Sequence, residues 1–190
     1  MQCIIENCEE KLSEWLYLEY LHALQIWHGN VIFTNVQDKE MHEKLSSLCD
    51  VKREHVYELK LENVIVLDPF ADKTLVPEEM QNANFVVIGG ILGDREFTGK
   101  TEKLITKKTM CIARNLGKIQ LSIDIAAYVA YQILQGKHLA EIPLTSEVEI
   151  EHADGHITVL PYGYPVIDGK VLITPGLVEY LKRNLGWKDD

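Results

Sequence analysis

Short apolar runs rich in β-branched residues recur along the first two thirds of the chain. They lie at 2–6, 30–36, 64–67, 85–88 and 110–113. Continuous apolar runs of this length are typical of strands that are buried on both faces of a sheet. Each run is therefore predicted to form a β-strand, and the last three are predicted to be fully buried.

The segments between these runs show apolar residues at helical spacing. The longest helical pattern covers 9–27, and shorter ones follow at 38–48, from 77, at 98–108 and at 123–135. Asp38 and Ser122 are residue types that cap helix N-termini, and Gly136 is a typical helix stop. The pattern leaves the structure of residues 49–57 open.

Regular alternation of strands and helices predicts an α/β fold with a mainly parallel sheet and helices on both faces. In such sheets, ligands bind outside the carboxyl ends of the strands. Three loops are predicted to lie at those ends, and they cover residues 67–69, 89–94 and 115–122. A functional site is therefore predicted at these loops.

The pattern changes after Pro143. Apolar and polar residues alternate at 147–150 and at 156–160, on either side of a turn at 153–155, and this pattern is typical of a hairpin. A second hairpin signal lies at 166–173. Pro175 then opens a final helix that is predicted to run to residue 185. We therefore divide the chain into an α/β core at 1–142 and a small C-terminal β-hairpin extension at 143–190, either within the same domain or as an appendage.

Charge is the feature of the composition that bears on partners. The 190 residues include 19 Lys and Arg against 29 Asp and Glu, a formal net charge of -10. Proteins that grip a phosphate backbone usually present a basic face, because each neutralised phosphate releases counterions. The balance favours a basic partner, and free RNA is expected to bind poorly.

The cysteines and the apolar runs indicate a location. Cys3, Cys8, Cys49 and Cys111 form no CxxC pair and no metal-ligand spacing, so reduced thiols and no bound metal are expected. The longest apolar stretch is too short to span a bilayer, and no signal peptide precedes the first strand. We expect a cytoplasmic protein with no membrane contact.

The glycine-rich segment after the strand at 85–88 is the most informative motif. Its sequence, Gly-Gly-Ile-Leu-Gly-Asp at 89–94, allows the backbone to approach a ligand closely. It is not a dinucleotide fingerprint, because Ile88 stands where that motif needs its first glycine. The following residues, 93–101, end in Gly-Lys-Thr like a P-loop, but Asp94 replaces the required glycine. A nucleotide-binding protein that uses this near-P-loop is kept as an alternative.

Taken together, the loop motifs resemble a small archaeal and eukaryotic branch of the SPOUT methyltransferase superfamily, and the resemblance covers essentially the whole chain. The branch includes a yeast protein-arginine methyltransferase that acts on a ribosomal protein. The similar segments are Ile-Ile-Glu at 4–6 with Glu9, Glu10, Glu14, Glu19 and Tyr20; Val-Leu-Asp-Pro at 66–69; residues 85–94; Leu116-Gly117, Gln120, Asp124 and Ala126; and Pro-Tyr at 161–162 with Pro-Gly-Leu at 175–177.

The resemblance implies a trefoil-knotted fold in which the three loops form a pocket for S-adenosylmethionine. It also implies a monomer or a homodimer. The cofactor-binding positions that it carries over are Leu67 and Asp68 in the first loop; Gly89, Gly90, Leu92, Gly93 and Asp94 in the second; and Leu116, Gly117, Gln120, Leu121 and Ser122 in the third.

Acidic residues near the start of the chain provide candidate catalytic groups. Glu6 and Glu14 are interpreted as guanidinium-binding carboxylates, because the arginine fork accepts bidentate pairing. Asp94 is interpreted as the group that receives the proton lost during methyl transfer. The favoured substrate is an arginine of a basic, ribosomal protein. An RNA methyltransferase acting on tRNA or rRNA is the main alternative, and a module that binds S-adenosylmethionine or RNA without catalysis is another.

Overall fold

Six strands pair in parallel to form one sheet in the computed structural model, which describes residues 1–93, 98–152 and 155–184. Their order across the sheet is β3-β2-β1-β5-β4-β6, and each adjacent pair is parallel. The strands are β1 (Gln2–Asn7), β2 (Val31–Thr34), β3 (Asp50–Val51), β4 (Val64–Leu67), β5 (Phe85–Gly90) and β6 (Ile112–Arg114). The predicted parallel α/β sheet is confirmed, and β3 occupies the region whose structure the pattern left open.

Helices connect these strands. They are α1 (Glu14–Ile26), α2 (Lys39–Ser46), α3 (Pro77–Asn82), α4 (Lys100–Leu104), α5 (Ile123–Leu134) and α6 (Leu177–Arg183). Asp38 caps α2 as predicted, since its side chain accepts a hydrogen bond from the Met41 amide at 2.8 Å. The first helix begins later than predicted, because Ser13 caps it by accepting from the Leu16 amide at 3.1 Å.

Alternate residues of the strands enter two apolar clusters, one on each face of the sheet. In β1, Cys3 and Ile5 pack into the larger cluster with residues of α1 and α5, whereas Ile4 packs into the smaller one. Ile105, which follows α4, is fully buried in the smaller cluster. Both faces of the sheet are therefore covered.

One predicted strand is less buried than its sequence indicated. Met110 is fully exposed and Ile112 is 56% exposed, although both belong to the apolar run at 110–113. The reason is topological, because β6 lies at the edge of the sheet and pairs only with β4 among the described strands. An apolar run cannot reveal by itself which strand the fold leaves at an edge.

The C-terminal residues form two small hairpins and α6. The hairpins pair β7 (Val148–Glu151) with β8 (Ile157–Leu160), and β9 (Val166–Ile167) with β10 (Lys170–Val171). Part of the first turn, 153–154, and the predicted end of the last helix at residue 185 lie outside the described residues. Side chains of the extension, including Leu160 and Leu177, pack into the larger cluster of the sheet. The extension therefore shares a hydrophobic core with the α/β region.

The four cysteines are free thiols. Cys3 is buried, whereas Cys8, Cys49 and Cys111 are only partly buried. Burial, more than the nearby carboxylates, raises the pKa of the Cys8 thiol to about 12. It therefore stays protonated at neutral pH and is a poor nucleophile.

Within the ranges given above, no helix is both long and apolar enough to cross a membrane. The trefoil knot that the resemblance implies stays a prediction.

A close junction joins α1 to the end of the central strands. The hydroxyl of Tyr20, a fully buried residue of α1, donates to Asn7 Oδ1 at 2.9 Å. Gly90, the last residue of β5, pairs with Asn7, and a Cβ added there would lie 2.5 Å from that hydroxyl and 3.0 Å from the carbonyl oxygen of Glu6. Glycine at position 90 thus allows α1 to pack closely on the sheet.

We expect Gly90→Ala to lower the free energy of unfolding by about 1–3 kcal/mol, because overpacking forces the neighbours to move. In a Tyr20→Phe background the penalty should be smaller, since the nearest clashing atom is gone, while the contact with the Glu6 carbonyl remains. Urea unfolding of the four proteins measures this coupling. An equal penalty in both backgrounds would contradict this account of Gly90.

Candidate active site

The carboxyl ends of β4, β5 and β6 surround a cleft of about 850 Å³, a volume that includes its open mouth. Most of the cofactor-binding positions carried over from the resemblance line it. They are Leu67, Asp68, Gly89, Gly93, Leu116, Gly117, Gln120, Leu121 and Ser122. The three loops, far apart in sequence, converge because parallel strands deliver their carboxyl ends to one edge of the sheet.

Three carried-over positions are not among the described lining residues. Gly90 faces Tyr20 and β1, so the structure gives a packing reason for glycine there in place of a close approach to a ligand. Leu92 lies outside the lining, and its amide donates to Glu9 Oε1 at 2.9 Å. Asp94, proposed both to bind cofactor and to accept a proton, lies outside the described residues.

Sequence reasoning missed part of the wall. Residues 98–101, the end of the near-P-loop and not among the predicted cofactor positions, line the cleft, as do Pro69, Phe70 and Ala126. Residues 98–101 lie shortly after the glycine-rich loop, and Ala126 belongs to the third motif. Both positions could therefore have been predicted from the sequence as part of the cleft. Phe70 is half exposed and offered no such signal beyond its place after Pro69.

Asp68 shapes the first loop. It is 2% exposed, and its two carboxylate oxygens accept from the Phe70 amide at 2.9 Å and from Thr106 Oγ1 at 2.6 Å. The second bond joins the first loop to the helical turn that follows α4. The side chain thus fixes the cleft wall at the first loop.

The third loop is held by Asn115. Its Oδ1 accepts from the Gly117 amide at 3.0 Å, and its side-chain amide donates to the Ala71 carbonyl at 2.7 Å. Gly117 has a φ of +90°, a backbone conformation that L side chains rarely adopt. This loop is therefore tied to the segment that follows the first loop, with glycine needed at its bend.

A buried network of polar side chains lies behind the third loop. Asp124, which is fully buried, accepts at 2.6 Å from each of Ser122 Oγ, Thr174 Oγ1 and His22 Nδ1. Ser122 is the residue that precedes α5, as predicted, but its hydroxyl donates to Asp124 and does not cap the helix. The network connects the cleft wall to α1 and to the C-terminal segment.

Glu19 of α1 takes the place of the missing cap. It is 3% exposed and accepts from the Ile123 amide at 3.0 Å and from Trp15 Nε1 at 2.5 Å. Burial, together with the nearby Asp124 carboxylate, raises the pKa of Glu19 to about 8. Protonation of Glu19 removes the repulsion between two neighbouring buried carboxyl groups.

The interpretation of Glu6 as a guanidinium-binding carboxylate stays a prediction, and the structure shows which groups this side chain contacts. Glu6 is 1% exposed, and it accepts from Thr34 Oγ1 at 2.5 Å, from His55 Nδ1 at 2.6 Å and from the Val56 amide at 3.0 Å. Its partners come from β2 and from the segment after β3, which no local pattern brings together. Glu6 is one strand away from the cleft, beside Gly89.

The same interpretation of Glu14 also stays a prediction. Glu14 is exposed in the first turn of α1 and accepts from Arg183 Nη2 of α6 at 2.5 Å. Among the described residues it is not part of the cleft lining. The catalytic roles of Glu6, Glu14 and Asp94 all stay predictions.

Comparison with known proteins identifies the family. A model of the family described as protein arginine N-methyltransferase SFM1-like matches residues 2–187. The chain belongs to this family. The protein arginine N-methyltransferase SFM1 of Saccharomyces cerevisiae is 30% identical over 204 aligned positions, which cover 97% of this chain and 95% of the yeast protein.

Solved structures agree with this assignment. The yeast arginine methyltransferase SFM1 complexed with SAM has a TM-score of 0.87 and 27% identity, covering 96% of this chain and 90% of that one. Its complex with SAH has a TM-score of 0.86 and 27% identity, covering 95% and 94%. The dual-specific Trm10 from Thermococcus kodakaraensis, with a TM-score of 0.57, 17% identity and coverage of 74% and 96%, shows a shared fold alone. The resemblance drawn from the motifs is confirmed.

The Glu19 carboxyl makes stability depend on pH. Native Glu19 holds its proton up to about pH 8, whereas in the unfolded chain it ionises near its ordinary value of 4.5. Its contribution to stability is full below the unfolded pKa and is lost as the pH rises through the folded pKa. The free energy of unfolding of the native protein, relative to Glu19→Gln, should therefore fall between about pH 5 and pH 8, as measured by urea unfolding.

Glu14→Gln is the matched control for this measurement, since Glu14 is an exposed acid on the same helix. The difference in unfolding free energy between Glu14→Gln and the native protein should stay constant over the same pH range. A flat difference for Glu19→Gln as well would show that Glu19 does not carry a raised pKa.

Proposed function

We propose that the protein is an S-adenosylmethionine-dependent protein arginine methyltransferase whose substrate is a basic, ribosomal protein. The observation that carries the proposal is the cleft at the carboxyl ends of β4, β5 and β6, which nine of the twelve carried-over cofactor positions line. Membership in the SFM1-like family and the SAM and SAH complexes of the yeast relative support it.

The cleft suits an adenosine-containing cofactor. Leu67, Leu116 and Ala126 supply apolar wall, as a planar base requires, and glycines bring backbone donors and acceptors to the surface. A Cβ on Gly89 would lie 3.2–3.4 Å from Ile91, Ile105 and Thr101, so the backbone there is already closely packed. A bound S-adenosylmethionine would supply a sulfonium-activated methyl group.

The residues of the chain contribute mainly by positioning. Methyl transfer is an in-line displacement, and holding the two reactants in line replaces a bimolecular encounter with a unimolecular step. The buried contacts of Asp68, Asn115 and Asp124 fix the loops that would hold the cofactor. Asp94 remains our proposed acceptor for the guanidinium proton, because it directly follows Gly93 of the cleft wall.

The charge of the chain supports a protein substrate over RNA. A net charge of -10 attracts a basic protein and repels a phosphate backbone. The likeness to Trm10 does not favour RNA, since at 17% identity it shows the fold alone. The cytoplasmic location and the oligomeric state, monomer or homodimer, stay predictions.

Filling the cleft should block the cofactor. Ala126→Leu places a larger apolar side chain in the wall, and we expect it to raise the Kd for S-adenosylhomocysteine at least about tenfold. Leucine is nearly as good a helix former as alanine, so the unfolding temperature should change little. Isothermal titration calorimetry measures the Kd.

The control is Gln132→Leu, a half-buried position on the same helix outside the described lining of the cleft. It should bind S-adenosylhomocysteine like the native protein. Equal binding by the Ala126→Leu variant would move the cofactor out of this cleft, and no binding by the native protein would overturn the proposed function.

A direct assay distinguishes protein from RNA substrates. The protein is incubated with methyl-labelled S-adenosylmethionine and either basic ribosomal proteins or deproteinised rRNA and tRNA. We expect label in arginine of one protein, lost when that arginine is replaced by lysine, and none in RNA. Label in RNA alone would establish the RNA methyltransferase alternative.

A further inference from the structure

The C-terminal extension contacts two loops of the cleft through consecutive residues. Tyr162, which is 5% exposed, donates its hydroxyl hydrogen to the Gly93 carbonyl of the second loop at 2.6 Å. The amide of Gly163 donates to the Gln120 carbonyl of the third loop at 2.8 Å. One short segment therefore holds acceptors from two of the three loops.

Packing at this contact is tight. A Cβ on Gly93 would lie 2.8 Å from both Gln120 Nε2 and the Tyr162 ring. A Cβ on Gly163 would lie 2.5 Å from Ile119 Cγ2 and 3.1 Å from Leu121 Cδ2. Since Ile119 and Leu121 line the cleft, the extension packs directly against the side chains of its wall.

The second loop is also anchored from the opposite end of the chain. Glu9 Oε1 accepts from the Leu92 amide at 2.9 Å, one residue before the carbonyl that Tyr162 holds. Two distant segments thus fix consecutive residues of a loop that has no regular secondary structure at 91–93.

The segment that presents Tyr162 is itself well ordered by hydrogen bonds. The Thr145 amide donates to the Tyr164 carbonyl at 2.9 Å, and the Tyr164 amide donates to Thr145 Oγ1 at 3.1 Å. Tyr164 is fully buried in the larger apolar cluster. The segment around Tyr162 is therefore held by its own hydrogen bonds and packing.

We infer that Tyr162 is a positioning residue for the cofactor cleft, and that its hydrogen bond to Gly93 sets the affinity for the cofactor. This inference rests on the proposed function. The bond fixes the second loop against the third, so the ordering of these loops is complete before the ligand binds. By thermodynamic linkage, a ligand that requires this arrangement stabilises the contact in return.

Two neighbouring buried tyrosines offer a matched test. Tyr162→Phe removes the hydroxyl bonded to Gly93, whereas Tyr164→Phe removes a buried hydroxyl that has no hydrogen-bond partner among the described residues. Affinity for S-adenosylhomocysteine is measured by calorimetry well below the unfolding temperature, and the KM for S-adenosylmethionine and kcat are measured with the methylated substrate.

We expect Tyr162→Phe to raise the Kd at least about fivefold, and Tyr164→Phe to keep it within about twofold of the native value. Tyr162→Phe should also raise the KM for S-adenosylmethionine with kcat nearly unchanged, as lost ground-state binding requires. A Kd within about twofold for Tyr162→Phe, or an equal rise in both variants, overturns the inference. Absence of binding by the native protein overturns the proposed function and this inference with it.

Hydrogen exchange tests the same coupling without a variant, should Tyr162→Phe fail to fold. Saturating S-adenosylhomocysteine should slow exchange of the Gly163 amide, bonded to Gln120, more than that of the Val166 amide, which is bonded to Pro143 within the extension. Equal slowing of the two amides, or none, overturns the inference.

Discussion

The parallel direction of the six strands is the constraint on which the rest of the structure depends. Parallel strands place all their carboxyl ends at one edge, so loops that are far apart in sequence meet there. The loops after β4, β5 and β6 form the cleft in this way. The same arrangement places β1 in the middle of the sheet, between β2 and β5. Its last residues, Glu6 and Asn7, pair there with Gly89 and Gly90 at the end of β5.

Several acidic residues of this acidic chain serve the fold. Glu6, Glu19 and Asp124 are almost completely buried, and each accepts two or three hydrogen bonds, at least one of them from a group distant in sequence. A buried carboxylate is tolerated only when such donors replace its lost hydration. These side chains therefore lock strand, helix and loop together, and part of the motif resemblance reflects this packing in addition to binding.

The walls of the cleft contain little regular secondary structure, so their shape depends on anchors outside it. Asn115 links the third loop to the segment after the first, and Thr106 links the first loop to the turn after α4. Tyr162 brings the C-terminal extension into the same set of contacts. A site built on loops can be preorganised when each loop is held from a separate, rigid part of the fold.

The sequence by itself determined the parallel α/β architecture, the three loops and nine of the positions that line the cleft. Apolar runs record burial on both faces of a strand, and the loops at 67–69, 89–94 and 115–122 are each contiguous in sequence, so local pattern and resemblance suffice to find them. Only the tertiary structure decided what individual polar side chains contact. Glu6 is hydrogen-bonded to His55, and Gly90 packs against Tyr20. These residues are too far apart in sequence for a periodic pattern to predict the contacts. The exposure of Ile112 was likewise decided by strand order, because the same apolar run is buried in the centre of a sheet and exposed at its edge.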